Sequence, residues 1–227
     1  MSYTFDFSFL WTYWPQFLAG AWLTLQLSAI STVFGCILGT LCAIGRADGP
    51  RWLKWVIASY VEIIRNTPFL IQIFLIYFGF AMAGLKVSAN FAAVAALVIN
   101  IGAYTCEIVR AGLQSIHRSQ VEAATCLGLS QVQTYWHVIV RPAIERVYPA
   151  LTSQYVLLML ASSITSQISA EELTAIANRI QSETFRALET YIVAGVIYIL
   201  LSFIVRAAFF LFGQLIFPRR RKLGTTI

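Results

Sequence analysis

Charged side chains are scarce in this chain. They make up 11% of its 227 residues, whereas hydrophobic side chains make up 59%. An ordinary soluble domain carries about 25% charged residues. Such a chain has too few charged side chains to cover a surface in contact with water. Lipid must therefore surround most of its outside. The sequence therefore predicts an all-α, polytopic membrane protein.

Side chains suited to catalysis or metal binding are equally few. The histidines are His117 and His137, and aspartate occurs only at Asp6 and Asp48. The four cysteines form neither a CxxC pair nor a metal-ligand spacing. No GxxxxGK[ST] segment is present to hold a nucleotide phosphate. We therefore expect no metal site, no bound cofactor and no catalytic residues in this chain.

Five long apolar runs divide the sequence. About 20 helical residues cross the roughly 30 Å hydrocarbon layer of a bilayer. In the second run, Pro68 disfavours helix at Thr67, so we expect an interfacial or entering helix, a break and then the span. The runs predict one domain, residues 1–227, with spans at about 17–45, 64–82, 89–113, 149–168 and 191–217.

Basic residues are distributed unevenly between the connecting segments. Residues 46–54, residues 114–148 and the C-terminal tail contain ten Lys and Arg residues, against three in the N-terminus, 83–88 and 170–189. Cytoplasmic loops carry the excess of Lys and Arg. We therefore expect an external N-terminus and a cytoplasmic C-terminus. The net charge of +6 reflects this topology rather than a nucleic-acid surface.

The predicted cytoplasmic loop, residues 114–148, has a helix–turn–helix pattern. Ser119 and Glu122 have the spacing of a capping box, in which each side chain bonds to the backbone amide of the other. Gly128 suits the left-handed position that ends a helix. Ser130 then offers a second N-terminal signal. We expect two short helices in this loop.

Small side chains give the first of these helices a thin surface. Ala123, Ala124 and Gly128 expose backbone, so a groove on a partner can close around the helix. The alternative is a passive connector on the membrane surface. DNA binding is disfavoured, because the unit lies between spans and lacks a basic recognition helix.

These loop residues resemble the EAA signature of permease subunits in ATP-binding cassette (ABC) importers. The signature is matched by Glu122, Ala123, Ala124, Gly128, Ile139 and Pro142. Further segments resemble the polar amino acid branch of that family, which serves histidine, glutamate, glutamine, arginine and opines. They are residues 20–25, 65–72, 104–112 and 172–174.

The resemblance implies a type I ABC importer permease fold with a cytoplasmic coupling loop. In that family an ATPase dimer, which uses ATP and Mg, docks on the EAA helix, and an extracytoplasmic binding protein delivers the substrate. It also implies a bacterial inner-membrane location and a second permease, either another copy or a paralogue. The residues expected to couple to the ATPase are Ser119, Glu122, Ala123, Ala124 and Gly128.

The fourth run ends in a polar cluster that is a candidate for the substrate pathway. Such side chains either line a route for an amino acid or hydrogen-bond neighbouring helices. Many relatives have a charged Lys-Asp pair just before this position, where this chain has Leu160 and Ala161. We therefore expect neutral groups along the route. The candidates are Ser162, Ser163, Thr165, Ser166 and Gln167.

Two possible ion pairs and one further arginine complete the list of candidate residues. Glu62 with Arg65, and Glu107 with Arg110, are each spaced for an ion pair on one helix face. Arg206 lies inside the fifth run, where an ionisable residue is a functional candidate. Arginine also extends toward the nearer membrane surface. Both interpretations of Arg206 remain open.

The alternative function is a self-sufficient secondary transporter of small polar solutes. Such proteins are usually built from internal repeats with interrupted helices. No repeat is visible in this sequence. A membrane-embedded enzyme is disfavoured by the scarcity of His and Asp.

Overall fold

The computed structural model describes residues 4–217, which form helices and connecting segments without any β-strand. The predicted all-α class is confirmed. The α-helices are α1 (Leu10–Asp48), α2 (Arg51–Arg65), α3 (Phe69–Met82), α4 (Ala89–Gln114), α5 (Arg118–Cys126), α6 (Gln131–Gln133), α7 (Arg141–Ala161), α8 (Leu173–Thr184) and α9 (Ala187–Ile216). Thr134–Val140 form a π-helical segment between α6 and α7, and Ser162–Ile168 form a 3-10 segment after α7.

Four helical stretches are long and apolar enough to cross a membrane. They are Leu10–Asp48, Ala89–Gln114, Gln131–Ile168 and Ala187–Ile216, and α2 with α3 supplies a fifth if that pair forms one span. The expected number of about five spans is therefore met. The fourth stretch begins before residue 149, where the predicted span starts, because helix continues through Pro142 and Pro149.

The π-helical segment explains why Pro142 does not end the helix. Proline has no N–H, and its ring crowds the carbonyl one turn earlier. The preceding turn widens, so that the Arg141 N–H bonds to the Trp136 carbonyl, five residues back. The wider turn accommodates the proline, and the loop of residues 114–148 runs directly into the fourth apolar helix.

The break expected in the second run lies where the sequence predicts it. α2 ends at Arg65, and the Asn66 N–H bonds to the Glu62 carbonyl. Pro68 has extended backbone, with φ −63° and ψ 137°, and directly precedes α3. Pro68 therefore separates a strongly amphipathic helix from an apolar one.

The chain divides into two compact units, and each unit takes one part of every long helical stretch. Among the described residues, the first unit contains 4–33, 67–98 and 155–206, and the second contains 34–66, 99–154 and 207–217.

Each unit has its own buried core. The core of the first unit includes Phe17, Met159, Leu173 and Ile180, and so joins α1, α7, α8 and α9. In the second unit, Ala43, Ile57 and Ala103 pack α1, α2 and α4 together. Gly39 permits the closest approach there, because a Cβ atom would lie 2.6 Å from the Gly102 carbonyl oxygen.

Candidate functional site

The N-terminus of α5 is capped differently from the predicted capping box. His117 is the N-cap, with φ −69° and ψ 140°, and its Nδ1 accepts from the Ser119 N–H at 3.3 Å. Ser119 therefore lies inside the first turn, and Glu122 pairs with Arg118 at 3.1 Å. The predicted Ser119–Glu122 capping box is wrong. The helix begins at Arg118, and the His117 ring accepts from the Ser119 amide in its first turn.

The C-terminus of α5 confirms the expected role of Gly128. Its φ is +75°, in the left-handed region that suits glycine. The Gly128 N–H bonds to the Thr125 carbonyl at 3.0 Å, and the Leu129 N–H bonds to the Ala124 carbonyl at 3.1 Å. This is the Schellman arrangement of a helix end. A Cβ atom on Gly128 would have no neighbour within 4 Å among the described residues, so the backbone conformation alone requires glycine.

The second half of the helix–turn–helix begins with a complete capping box. The Ser130 hydroxyl accepts from the Gln133 N–H, and the Gln133 side chain accepts from the Ser130 N–H. This confirms the second N-terminal signal in the loop. α5 packs against the π-helical segment that follows. The two helical elements therefore form one small unit fixed by local hydrogen bonds.

The predicted coupling residues are divided between two sides of α5. Ser119, Glu122, Ala123 and Gly128 are exposed. Ala124 is only 4% exposed, so it is buried within its own chain instead of leaving the outer side thin, as the sequence suggested. Large apolar side chains nearby are exposed, including Leu127 at 79% and Trp136. The loop thus presents an apolar surface that residues 4–217 leave exposed.

The predicted pathway residues of the fourth stretch come together in the 3-10 segment. Each hydroxyl donates to the carbonyl three residues earlier, Ser163 to Leu160 at 2.7 Å and Ser166 to Ser163 at 2.8 Å. Ser162 and Thr165 do the same and are fully buried. Because a 3-10 helix has three residues per turn, Ser163 and Ser166 share one half-exposed face.

Gln167 lies beside these hydroxyls in the 3-10 segment, whereas Arg206 lies on α9. Gln167 is exposed at the end of the 3-10 segment. Arg206 is exposed on α9 and makes no ion pair within residues 4–217. Its exposed position on the helix is compatible with extension toward a membrane surface, as one of the two interpretations requires.

The first unit contains a buried carboxyl group, Glu172 of the 172–174 segment, whose burial the sequence analysis did not predict. Glu172 is fully buried, and its Oε1 accepts from the Ala175 N–H at 3.0 Å, so it caps α8. Its Oε2 accepts from the Tyr198 hydroxyl at 2.6 Å. Burial raises the pKa of Glu172, while the hydrogen bonds oppose that rise. The group links α8 to α9, and only its place at the start of an amphipathic helix could have indicated it.

A second carboxylate lies at the centre of three arginines. Glu107 pairs with Arg110 at 2.8 Å, as the i, i+3 spacing predicts, and with Arg65 at 3.5 Å. It also pairs with Arg46. The expected Glu62–Arg65 pair does not form, because Arg65 turns to Glu107 and to the face of the Tyr104 ring. Glu62 accepts from the Asn66 side chain instead.

The apolar helical stretches and the exposed loop between them define a polytopic membrane protein. The family model of the binding-protein-dependent transport system inner membrane component matches residues 31–220. The chain belongs to this family.

Particular relatives are similar over most of the chain. It is 35% identical over 227 residues to the octopine transport system permease protein OccM of Rhizobium radiobacter, covering 96% of this chain and 92% of the relative. It is 36% identical to the glutamine transport system permease protein GlnP of Escherichia coli K12, covering 89% and 95%. A crystal structure of an amino acid ABC transporter with histidines matches with TM-score 0.86 and 36% identity, covering 93% and 99%. The chain is thus a membrane-spanning permease subunit of an ABC importer, whose ATPase is a separate subunit.

Proposed function

We propose that this chain translocates a polar amino acid or amino acid derivative, such as an opine, delivered by an extracytoplasmic binding protein. Relatives of similar length transport octopine and glutamine, and 92–95% of their sequences align with this chain. The chain itself carries out no catalysis, and ATP and Mg are used by the ATPase dimer. The second permease is another copy of the chain or a paralogue.

The observation that carries this proposal is the open helix–turn–helix at α5. A nine-residue helix is marginal alone in water, so it needs either packing or a partner. α5 has caps at both ends but leaves most of its surface exposed. The ATPase supplies the missing surface, and its closure moves this helix and the spans attached to it. The contacting residues are Ser119, Glu122, Ala123 and Gly128, with Ala124 positioning the helix from behind.

Two substitutions test the coupling role. Gly128→Val places a β-branched side chain at a left-handed residue and so strains the backbone, and Ala123→Arg adds a long charged side chain on the exposed side. Both variants should reach the membrane at wild-type level and lose uptake, with less ATPase co-purified. Ser182→Arg adds the same charge at an exposed position of α8 and should retain the ATPase. Normal uptake by both α5 variants would show that the loop is a passive connector.

We propose that the N-terminus faces outside and that α5 faces the cytoplasm. Cys126 lies on α5 and is exposed, so it is a native reporter of sidedness. An impermeant thiol reagent should label Cys126 in inverted membrane vesicles and not in intact cells. Labelling of Cys126 in intact cells would contradict the orientation. The basic residues 219–222, which contribute to this expectation, lie outside the described residues.

The half-exposed face of the 3-10 segment is our proposed part of the substrate route. Each hydroxyl there donates within its own helix and retains lone pairs that can accept from a substrate ammonium group. Ser163→Val and Ser166→Val should change uptake across a panel of amino acids more than they change membrane level. Thr165→Val, on the buried face, is the matched control for packing. Gln167 and Arg206 are secondary candidates along the same route.

A further inference from the structure

The helix α2 presents three different faces. Ile57 and Val61 are buried and pack against α1 and α4 within the second unit. Trp52, Trp55 and Val56 are exposed, with Trp55 at 73%. They recur at i, i+3 and i+4, so they share one side of the helix. The remaining side is basic and carries Arg51, Lys54 and Arg65.

The contacts of Glu107 fix the direction of α2 relative to the end of α1. Arg46, in the last turn of α1, and Arg65, the last residue of α2, both contact this one carboxylate. A helix of 15 residues is about 22 Å long. If α2 ran through the bilayer, Arg65 would lie too deep to share a carboxylate with Arg46. Both ends of α2 therefore lie near the level at which α1 ends.

Three guanidinium groups surround the Glu107 carboxylate and leave an excess of positive charge. Arg46, Arg65 and Arg110 each contact Glu107, so one negative charge faces three positive charges. All three arginine side chains are partly exposed, Arg65 the most at 42%. Arginine forks match the oxygens of a phosphate group. The cluster is therefore suited to an additional anion.

We propose that α2 lies in the headgroup layer, and that Arg46, Arg65 and Arg110 bind the phosphate of an anionic phospholipid. The exposed tryptophans are typical of the membrane–water boundary, where their rings pack against lipid. A lipid can pack its acyl chains against the apolar side of α2 and bind its phosphate to the arginines. Free phosphate can bind the arginines but leaves the apolar side of α2 uncovered. The proposed lipid site lies at the membrane surface where α1 ends. The proposal does not depend on whether that surface is cytoplasmic or external.

Lipid titration of the purified importer complex tests the arginine site. Phosphatidylglycerol and phosphatidylcholine are added separately, and bound lipid is counted by native mass spectrometry. Phosphatidylglycerol should bind more tightly, and Arg65→Gln should weaken it about fivefold, the contribution typical of one basic residue at an anionic surface. Arg65→Lys should retain most of the preference. Arg179→Gln, at an exposed arginine of α8, should leave it unchanged. Equal binding of the two lipids, or no effect of Arg65→Gln, would overturn the proposal.

A second measurement follows the position of α2 and does not depend on arginine variants. Val56→Cys and Lys54→Cys place a fluorescent label on the apolar and basic sides of α2, with the native cysteines replaced by alanine. Brominated phosphatidylcholine should quench the label at residue 56 and spare that at residue 54. Absence of quenching at residue 56, as occurs if a second permease copy covers this side, would contradict the lipid-facing position.

Discussion

Two short helices outside the candidate spans, α5 and α8, differ in what holds them. α8 buries Leu173, Ile176, Ala177 and Ile180 in the core of the first unit. α5 buries a single residue, Ala124, within the part of the chain that the structure describes. Since tertiary packing supplies most helix stability in proteins, α8 belongs to the permanent fold. α5 is shaped mainly by its own caps, and most of its surface is exposed.

The N-caps of the two helices show the same contrast. Glu172 caps α8 from a fully buried position and is itself fixed by the Tyr198 hydroxyl. His117 caps α5 from an exposed position, with the Ser119 hydroxyl 2.7 Å from its ring nitrogen. A buried cap cannot exchange its partners for water, whereas an exposed cap can. Loss of the Glu172 cap should therefore destabilise the whole first unit, whereas loss of the His117 cap should destabilise α5 alone.

The largest effect is expected for Glu172→Ala. It removes the acceptor of the Ala175 amide and one of two partners of the Tyr198 hydroxyl, which keeps the Thr174 hydroxyl at 2.8 Å. A buried group left unpaired costs roughly 1–3 kcal/mol. The variant should show a clearly lower thermal unfolding temperature and a lower membrane level. A variant as stable as wild type would show that the cap of α8 is not part of the permanent fold.

Glu172→Gln isolates the charge from the hydrogen bonds. Because burial raises the pKa of Glu172, the folded protein favours the protonated carboxyl. Its stabilising contribution is complete below the ordinary Glu value of about 4.3 and is lost as the pH rises through the higher folded value. Unfolding temperatures measured across that range should fall for wild type relative to Glu172→Gln. A constant difference between the two would contradict the raised pKa.

An intermediate effect is expected for Ala124→Arg, compared with Ala123→Arg. Ala124 is buried beneath α5, whereas its neighbour is exposed. Arginine at 124 should displace α5 from the π-helical segment and raise hydrogen exchange throughout residues 118–133. Arginine at 123 should leave exchange unchanged and still reduce ATPase binding. Equal exchange in the two variants would remove the distinction between the two sides of α5.

The smallest effect is expected for His117→Ala. Removing an N-cap side chain costs about 1 kcal/mol of helix stability. Hydrogen exchange in the first turn of α5 should therefore accelerate roughly fivefold, while the unfolding temperature of the complex stays constant. A reduced unfolding temperature would show that α5 contributes to the global fold.

Local patterns in the sequence were sufficient to predict the spans and two of the helix ends. The apolar runs predicted the number of spans, and Gly128 and Ser130 predicted one helix end and one helix start. These features depend on neighbouring residues alone. The predicted start of the fourth span at residue 149 was too late, because a π-helical turn lets helix continue through Pro142.

Long-range partners were the part that the sequence could not supply. Arg65 is spaced to meet Glu62, but folding brings it to Glu107, which is 42 positions away by residue number. The burial of Glu172 likewise depends on Tyr198 in another helix. The burial of Ala124 rather than Ala123 depends on which side of α5 meets the π-helical segment. Spacing along one helix predicts none of these contacts.

Hydrogen exchange of α5, with and without the ATPase, tests most directly whether this helix is completed by another protein. The permease would be measured in lipid nanodiscs, first alone and then after addition of its ATPase. The account predicts that amides of Arg118–Cys126 exchange rapidly in the permease alone and become protected when the ATPase binds, while those of Leu173–Thr184 stay protected throughout. Strong protection of α5 before the ATPase is added, or no change afterwards, would contradict it.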